Sequence, residues 1–109
     1  MSTGLRTLYQ AVQLFRDLDP ELPTKTVVCF VLIANADKDI PMRDLQNALD
    51  TSSSSTTRNV AHLSAHYKPK VPGLGLVEAF EDLNDRRYKR VRLTPKGKAF
   101  RIRLDSVMG

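Results

Sequence analysis

A run of hydroxyl residues near the middle of the chain constrains the fold more than any other feature. Residues 45–58 have the sequence Leu-Gln-Asn-Ala-Leu-Asp-Thr-Ser-Ser-Ser-Ser-Thr-Thr-Arg. Its first part has the apolar spacing of a short helix. Ser52 can cap a second helix by accepting a hydrogen bond from the N–H of Ser54 or Ser55. Alone, the run favours a low-complexity linker, because Ser and Thr prefer caps and turns. The flanking sequence favours two helices joined by a tight turn.

The second of these helices would present small polar side chains on its outer face. Small residues at a helix start allow close approach to nucleic acid, and their hydroxyl and N–H groups can bond phosphate oxygens. Arg58 can form a bidentate pair of hydrogen bonds with a phosphate or with guanine. The inner face is predicted to consist of Thr56, Val60, Leu63 and Tyr67. The positions that consequently turn outward are Ser53, Ser54, Thr57, Arg58 and Ala61.

The residues before this stretch predict further helices. A first amphipathic helix has apolar residues at steps of three and four, namely Leu5, Leu8, Val12 and Phe15, and it ends at Asp19-Pro20. Its broad apolar stripe suits either its own core or a second copy of the chain. Residues 26–36, with Thr24 as the cap, are apolar on nearly every side, which predicts a central helix, although a buried strand would also fit. Residues 42–49 then predict a short helix after an extended bridge.

The C-terminal part of the chain predicts a hairpin and a last helix. Residues 68–75 contain two prolines and two glycines and are predicted to be a loop. Residues 76–83 and 88–93 are predicted to be strands, joined by a basic tip at 84–87. Thr94-Pro95 begins a final helix with an apolar stripe. The predicted fold is therefore mainly α with a small β-hairpin, a winged helix-turn-helix with an extra helix at each end. All 109 residues would form one domain: N-terminal helix 1–19, helical core 24–67, wing 76–93 and C-terminal helix 95–108.

The charge of the chain is divided unevenly between its two halves. Residues 1–50 contain five Lys/Arg and seven Asp/Glu, a net charge of −2, whereas residues 51–109 contain twelve and five, a net charge of +7. The basic half begins where the hydroxyl-rich helix begins. A one-sided positive field suits a polyanionic partner. By itself it would suit an acidic membrane surface, or a role in solubility alone, nearly as well.

Several classes of protein are disfavoured by the sequence. The longest apolar run, 27–34, is too short to cross a bilayer, and Met1 to Leu8 lacks the charged start and continuous apolar segment of a signal peptide. We therefore expect a soluble cytoplasmic protein without a membrane partner. Cys29 lies in that run and is expected to be a small buried hydrophobe. His62 and His66 have a spacing that metal sites use, but without further ligands a solvated or DNA-facing pair is favoured. The acids at 78–82 are expected to pair with cations of the neighbouring strand. We predict no enzyme, metal or cofactor.

The order of motifs in the second half of the chain resembles a known family. Residues 45–58 are followed by Gly75-Leu76-Val77-Glu78, Asp85-Arg86-Arg87 and Val91-Arg92-Leu93-Thr94-Pro95-Lys96-Gly97. This order is similar to the winged-helix domain of the MarR family of transcriptional regulators, over residues 27–100. Its most specific part is Asp-x-Arg at a wing tip followed by Leu-Thr-x-x-Gly. Relative to the family, the loop 68–74 is longer than the usual connection, and the terminal helices, which normally build the dimer interface and an effector pocket, are short.

The resemblance implies a homodimer, formed through the terminal helices, that regulates transcription by binding near-palindromic double-stranded DNA, by default as a repressor. The helix at 52–67 would enter the major groove, and the wing tip would reach the flanking minor groove. Arg87 matches the wing arginine of the family, Asp85 the acid that orients it, and Arg58 an arginine of the recognition helix. The candidate DNA-binding residues are Ser53, Ser54, Thr57, Arg58, Ala61, His62, Arg86, Arg87 and Lys89.

Two other functions remain open from the sequence. A winged helix can also act as a protein–protein interaction module, for example in a replication, packaging or transcription assembly. Such a face should contain an apolar anchor, and the predicted outer face has none. Nonspecific nucleic-acid binding would need the wing charges but not the serines, and the lack of exposed aromatic residues disfavours single strands.

Overall fold

The computed structural model describes residues 1–109 and contains five helices and five short strands. In chain order the elements are α1 Thr3–Leu18, α2 Thr24–Asn35, β1 Ile40–Pro41, α3 Met42–Leu49, α4 Ser53–Leu63, β2 His66–Lys68, β3 Val71–Pro72, β4 Val77–Glu81, β5 Lys89–Leu93 and α5 Pro95–Met108. This order confirms the predicted winged helix-turn-helix with an extra helix at each end. None of the helices has the length and apolar character needed to span a membrane.

The wing is an antiparallel hairpin that is joined to the helical part through β1. The strand order is β1-β5-β4. Ile40 lies opposite Val91, and Val77 lies opposite Leu93. Val77 and Val91 are fully buried, so the hairpin root packs against the helices, whereas Arg86 and Arg87 at its tip are exposed.

Three phenylalanines join the terminal helices to the centre of the fold. Phe15 of α1, Phe30 of α2 and Phe100 of α5 pack edge to face, with ring centroids 5.1 to 5.8 Å apart. Edge-to-face pairs contribute about 0.5–1.5 kcal/mol each beyond their buried area. The prediction that α2 lacks an exposed face is partly wrong, because Val28 and Val31 are 44% and 49% exposed.

The apolar stripe of α1 is only partly covered. Ala11 and Phe15 are buried. Leu14 and Leu18 are partly buried against the core. Four further large apolar side chains of this helix are between 45% and 60% exposed, and they are Leu5, Leu8, Tyr9 and Val12. The core of the chain therefore covers one edge of the predicted stripe and leaves the other edge exposed.

Three predicted boundaries are wrong. α4 ends at Leu63 and not at Tyr67, because the N–H groups of Leu74 and Leu76 donate to the carbonyls of His62 and Leu63, at 2.9 and 2.7 Å. The predicted loop after α4 contains the small hairpin of β2 and β3. Thr24 is the first helical residue of α2, and its N-cap position is occupied by Pro23, which makes no side-chain cap.

The start of α5 is fixed to the start of the wing by one threonine. Thr94 Oγ1 accepts a hydrogen bond from the Gly97 N–H at 3.1 Å and donates one to the Gly75 carbonyl at 2.6 Å. The Thr94 N–H donates to the Leu76 carbonyl at 3.0 Å. The predicted cap with proline at the first helical position is confirmed, and it also joins two elements.

Candidate nucleic-acid interface

The turn between α3 and α4 is tight and ends in a capped helix. Asp50 closes α3 in the left-handed conformation, with φ 51°, which acidic and amide side chains tolerate better than most. Ser52 is the N-cap of α4, as predicted, and its Oγ accepts from the Ser55 N–H at 3.1 Å. The Thr56 hydroxyl donates to the Ser52 carbonyl at 2.9 Å. The hydroxyl run thus forms a helix start and not a linker.

Buried contacts fix the orientation of α4. Thr56, Val60 and Leu63 are at most 3% exposed, which places these three members of the predicted inner face in the core. The fourth, Tyr67, lies in β2 and is half-buried. Thr26 of α2 donates a hydrogen bond to Asn59 Oδ1 at 2.9 Å, and this pair is buried. Because an unpaired buried polar group costs about 1–3 kcal/mol, the pair disfavours any rotation of α4 that separates its members.

The outer face of α4 is small and polar. Ser53, Ser54, Thr57 and Arg58 are exposed, and Ala61 is half-buried. No carboxylate lies within ion-pair distance of Arg58. Its guanidinium therefore retains all five N–H donors for an external acceptor.

His62 does not belong to this face, and its predicted outward position is wrong. It is 9% exposed, and its Nε2 lies 3.0 Å from Asp19 Oδ2 at the end of α1. Its ring stacks on that of Tyr67, with centroids 4.2 Å apart. Because α4 ends before His66, the two histidines do not share a helix, and the spacing considered for a metal site does not exist in the fold. His62 is therefore not part of the exposed surface of α4.

The wing tip presents a fixed arginine. Arg87 donates two hydrogen bonds to Asp85, from Nε at 3.0 Å and from an Nη at 2.9 Å. These bonds hold the pKa of the Asp85 carboxyl below its usual range and raise the pKa of Arg87. The Arg87 side chain is still 80% exposed. Asp85 thus limits the rotamers of a side chain that keeps most of its surface free, while Arg86 and Lys89 are exposed and unpaired.

Ion pairs hold the two strands of the wing together and join them to the segment before β1. Arg90 of β5 bonds Asp39 before β1 at 2.5 Å and Asp82 after β4 at 3.4 Å. The bond to Asp39 is the main cause of a raised Arg90 pKa, and the Asn84 N–H is the main cause of a lowered Asp82 pKa. Arg92 bonds Glu78 across the strands at 2.7 Å, so the sequence correctly placed this cross-strand pairing of acids with cations.

A cleft of about 570 Å³ separates the outer face of α4 from the wing. The structure brings five of the predicted residues together around it, and they are Ser53, Thr57, Ala61, Arg87 and Lys89. No Asp or Glu lines the cleft, so its charges are all positive. Ser54, Arg58 and Arg86 are exposed outside its lining.

Sequence reasoning missed Arg43 and Gln46 of α3, which also line the cleft. The Arg43 guanidinium lies 4.5 Å from the centre of the Tyr88 ring, and that of Arg87 lies 5.6 Å from it. The available signal was the position of Arg43 in the first turn of a helix that directly follows the bridge strand, which places it beside the wing. The stack joins α3 to the wing by cation–π attraction.

No protein-family model and no curated protein sequence matches the chain. Solved structures do match it. MepR of S. aureus in complex with DNA has a TM-score of 0.74 and 16% identity, over 95% of this chain and 77% of that one. A mutant MarR of E. coli complexed with operator DNA has a TM-score of 0.66 and 22% identity, over 95% of this chain and 69% of that one. AbsC, a MarR family transcriptional regulator from Streptomyces coelicolor, has a TM-score of 0.65 and 21% identity, over 95% of this chain and 67% of that one.

The similarity extends over nearly the whole chain, which spans between 67% and 77% of these three structures. It establishes the fold: the chain has the winged helix-turn-helix architecture of MarR-type regulators, as the sequence motifs predicted. At such identities the function must be argued from the surface of this chain.

Proposed function

We propose that the protein is a non-catalytic, sequence-specific regulator of transcription that binds double-stranded DNA. The observation that carries the proposal is the surface formed by α4 and the wing, where exposed hydroxyls and cations surround a cleft without a carboxylate. A polyanion is the partner that matches this chemistry. Two of the structures with the same fold are complexes with DNA, which supports a duplex as that polyanion.

In the proposed complex α4 is the recognition helix and lies in the major groove. The N–H groups of Ser53 and Ser54 precede the first intrahelical bonds and are free to donate to a phosphate. Their hydroxyls and that of Thr57 are short enough to let the helix approach the base edges. Arg58 forms the bidentate contact with guanine that gives most of the discrimination.

The wing sets the register on the duplex. Asp85 fixes Arg87 before binding, so less side-chain entropy is lost when Arg87 meets a phosphate or enters the minor groove. The Arg90 ion pairs, which join β5 to the residues before β1 and after β4, keep the hairpin at one angle to α4. Occupying a promoter in this way would block RNA polymerase, so we propose repression as the mode of regulation.

Fluorescence-anisotropy titrations at two salt concentrations test this proposal. The duplex upstream of the protein's own gene is compared with a scrambled duplex of equal length. We expect a preference of about a thousandfold or more that persists at the higher salt. Equal binding that fades steeply with salt would reduce the function to phosphate attraction. No binding to either duplex would overturn the proposal and favour a protein partner for the basic surface.

We further propose a homodimer formed through the terminal helices. The support is the open half of the α1 stripe, where Leu5, Leu8, Tyr9 and Val12 are exposed, together with Ile102 and Met108 of α5 at 69% and 58% exposure. Exposed apolar patches of this kind mark association sites. Two copies related by a two-fold axis would present two recognition helices to a near-palindromic site.

Sedimentation velocity of a matched pair of variants tests the dimer. We expect the wild-type chain and Gln10→Glu to sediment with about twice the 12.3 kDa of one chain, and Leu8→Glu to sediment as a monomer. Both variants add one negative charge to an exposed position of α1, but Gln10 lies on the side opposite the apolar stripe. A dimer of Leu8→Glu as stable as that of Gln10→Glu would contradict the proposed interface.

A further inference from the structure

Of the hairpin at residues 66–72, formed by β2 and β3, only His66 lines the cleft between α4 and the wing. The hairpin lies between the end of α4 at Leu63 and the start of the wing at Val77. His66 pairs with Pro72 and Lys68 with Val71, with an irregular register between them. Lys70 at the turn adopts a positive φ of 64°. The segment is therefore a formed hairpin with a basic tip.

Backbone bonds fix this hairpin to the end of α4. The N–H groups of Gly73 and Gly75 donate to the carbonyls of Ala65 and Ser64, each at 3.0 Å. A Cβ at position 73 would lie 1.9 Å from the Ser64 carbonyl oxygen, so only glycine permits this approach. Both ends of the hairpin are thus held against the last turn of the helix, and the hairpin must follow α4.

A series of side-chain contacts attaches the hairpin to the helices a second time. Tyr67 of β2 stacks on His62 with the ring planes 2° from parallel, and His62 bonds Asp19 at the end of α1. The Lys68 ammonium lies 4.9 Å from the centre of the Tyr67 ring, within range of cation–π attraction. The base of the hairpin is therefore positioned by contacts with two helices.

The cations of the hairpin have no carboxylate partner within the chain. Residues 64–77 contain no Asp or Glu, and neither Lys68 nor Lys70 forms an ion pair. On the wing, by contrast, Arg87, Arg90 and Arg92 each bond a carboxylate. Two unpaired ammonium groups on a positioned hairpin suit an external anion.

The hairpin also begins at the edge of the proposed DNA surface. His66, its first residue, lines the same cleft as Thr57 and Arg87. A helix in the major groove, which is about 12 Å wide, has a phosphate strand on each side. We propose that the 66–72 hairpin is a second basic arm, in which Lys68 and Lys70 contact duplex phosphates beside the C-terminal end of α4. This inference rests on the proposed DNA-binding function.

The double variant Lys68→Gln, Lys70→Gln tests the arm. Each lost phosphate contact lowers the slope of log affinity against log salt by about 0.9. We expect the slope to fall by about 1 to 2 per protomer, with binding to the upstream and scrambled duplexes weakened by the same factor, because phosphate contacts carry no sequence information. The matched control is Lys25→Gln, Lys38→Gln, which removes two exposed, unpaired lysines, one from the first turn of α2 and one from the turn between α2 and β1.

Three outcomes overturn the arm. If Lys68→Gln, Lys70→Gln keeps the wild-type slope of log affinity against log salt while Arg86→Ala lowers that slope, the hairpin is not a DNA-binding arm. The proposed function is then unaffected. A control with the same loss of slope would mean that net charge alone is responsible. If the wild-type chain binds neither duplex, both the proposed arm and the proposed function are wrong. Thermal unfolding at the wild-type temperature confirms that the substituted hairpin is still folded.

Discussion

We expect Gly97→Ala to lower the free energy of unfolding by about 3 kcal/mol, the upper end of the usual cost of overpacking. A Cβ at this position would lie 1.9 Å from the Leu76 carbonyl oxygen and 3.2 Å from a methyl carbon of Leu93. Leu76 is fully buried, and its carbonyl accepts the Thr94 N–H. The methyl group can be accommodated only if backbone moves, and that movement breaks the junction of α5 with the wing.

Gly4→Ala is the matched control, because Gly4 also lies in the first turn of a helix but has no atom within 4 Å of an added Cβ. Alanine exceeds glycine in helix propensity by about 1 kcal/mol. Gly4→Ala should therefore be as stable as the wild-type chain or slightly more so. Urea unfolding followed by circular dichroism, at one protein concentration, gives both values. Equal stability of the two variants would show that α5 does not meet the wing in this way.

The role of Gly97 explains why the fold was predictable from a short motif. In Leu-Thr-x-x-Gly, Thr94 caps α5 and bonds Gly75, and Gly97 allows the approach of the Leu76 carbonyl. Thr94 and Gly97 thus both hold α5 against the start of the wing. The motif is therefore a signature of the architecture and carries no information about the ligand. The bound partner has to be argued from the outer face of α4 and the cleft.

The errors of the sequence reasoning have a common physical cause. Periodicity placed Thr56, Val60 and Leu63 in the core correctly, because the spacing of buried residues along a helix is local. It extended α4 to Tyr67 because the hydrogen bonds that end the helix come from residues after the hairpin. It turned His62 outward because the partner of that histidine, Asp19, is 43 residues away. No local pattern contains either contact.

The second large effect is expected at Arg58. Relative to the wild type, Arg58→Ala should lose about 10- to 100-fold of its preference for the upstream duplex over the scrambled one, since a bidentate contact to guanine discriminates by about 1–3 kcal/mol. The guanidinium is exposed and has no carboxylate partner, so its removal leaves no unpaired charge in the protein. Anisotropy titrations with both duplexes measure the ratio, and Arg6→Ala on α1 is the control for loss of one exposed arginine.

Arg87→Ala separates base reading from phosphate contact in the same assay. Its loss should weaken binding to both duplexes by a similar factor and reduce the salt slope by about 0.9, without changing their ratio. The docking model thus makes opposite demands on two arginines that have the same chemistry and differ only in their position on α4 or on the wing. If Arg87→Ala changes the ratio and Arg58→Ala does not, the wing reads the sequence and α4 only positions the protein. If both variants bind as the wild type does, neither surface meets DNA and the docking model is wrong.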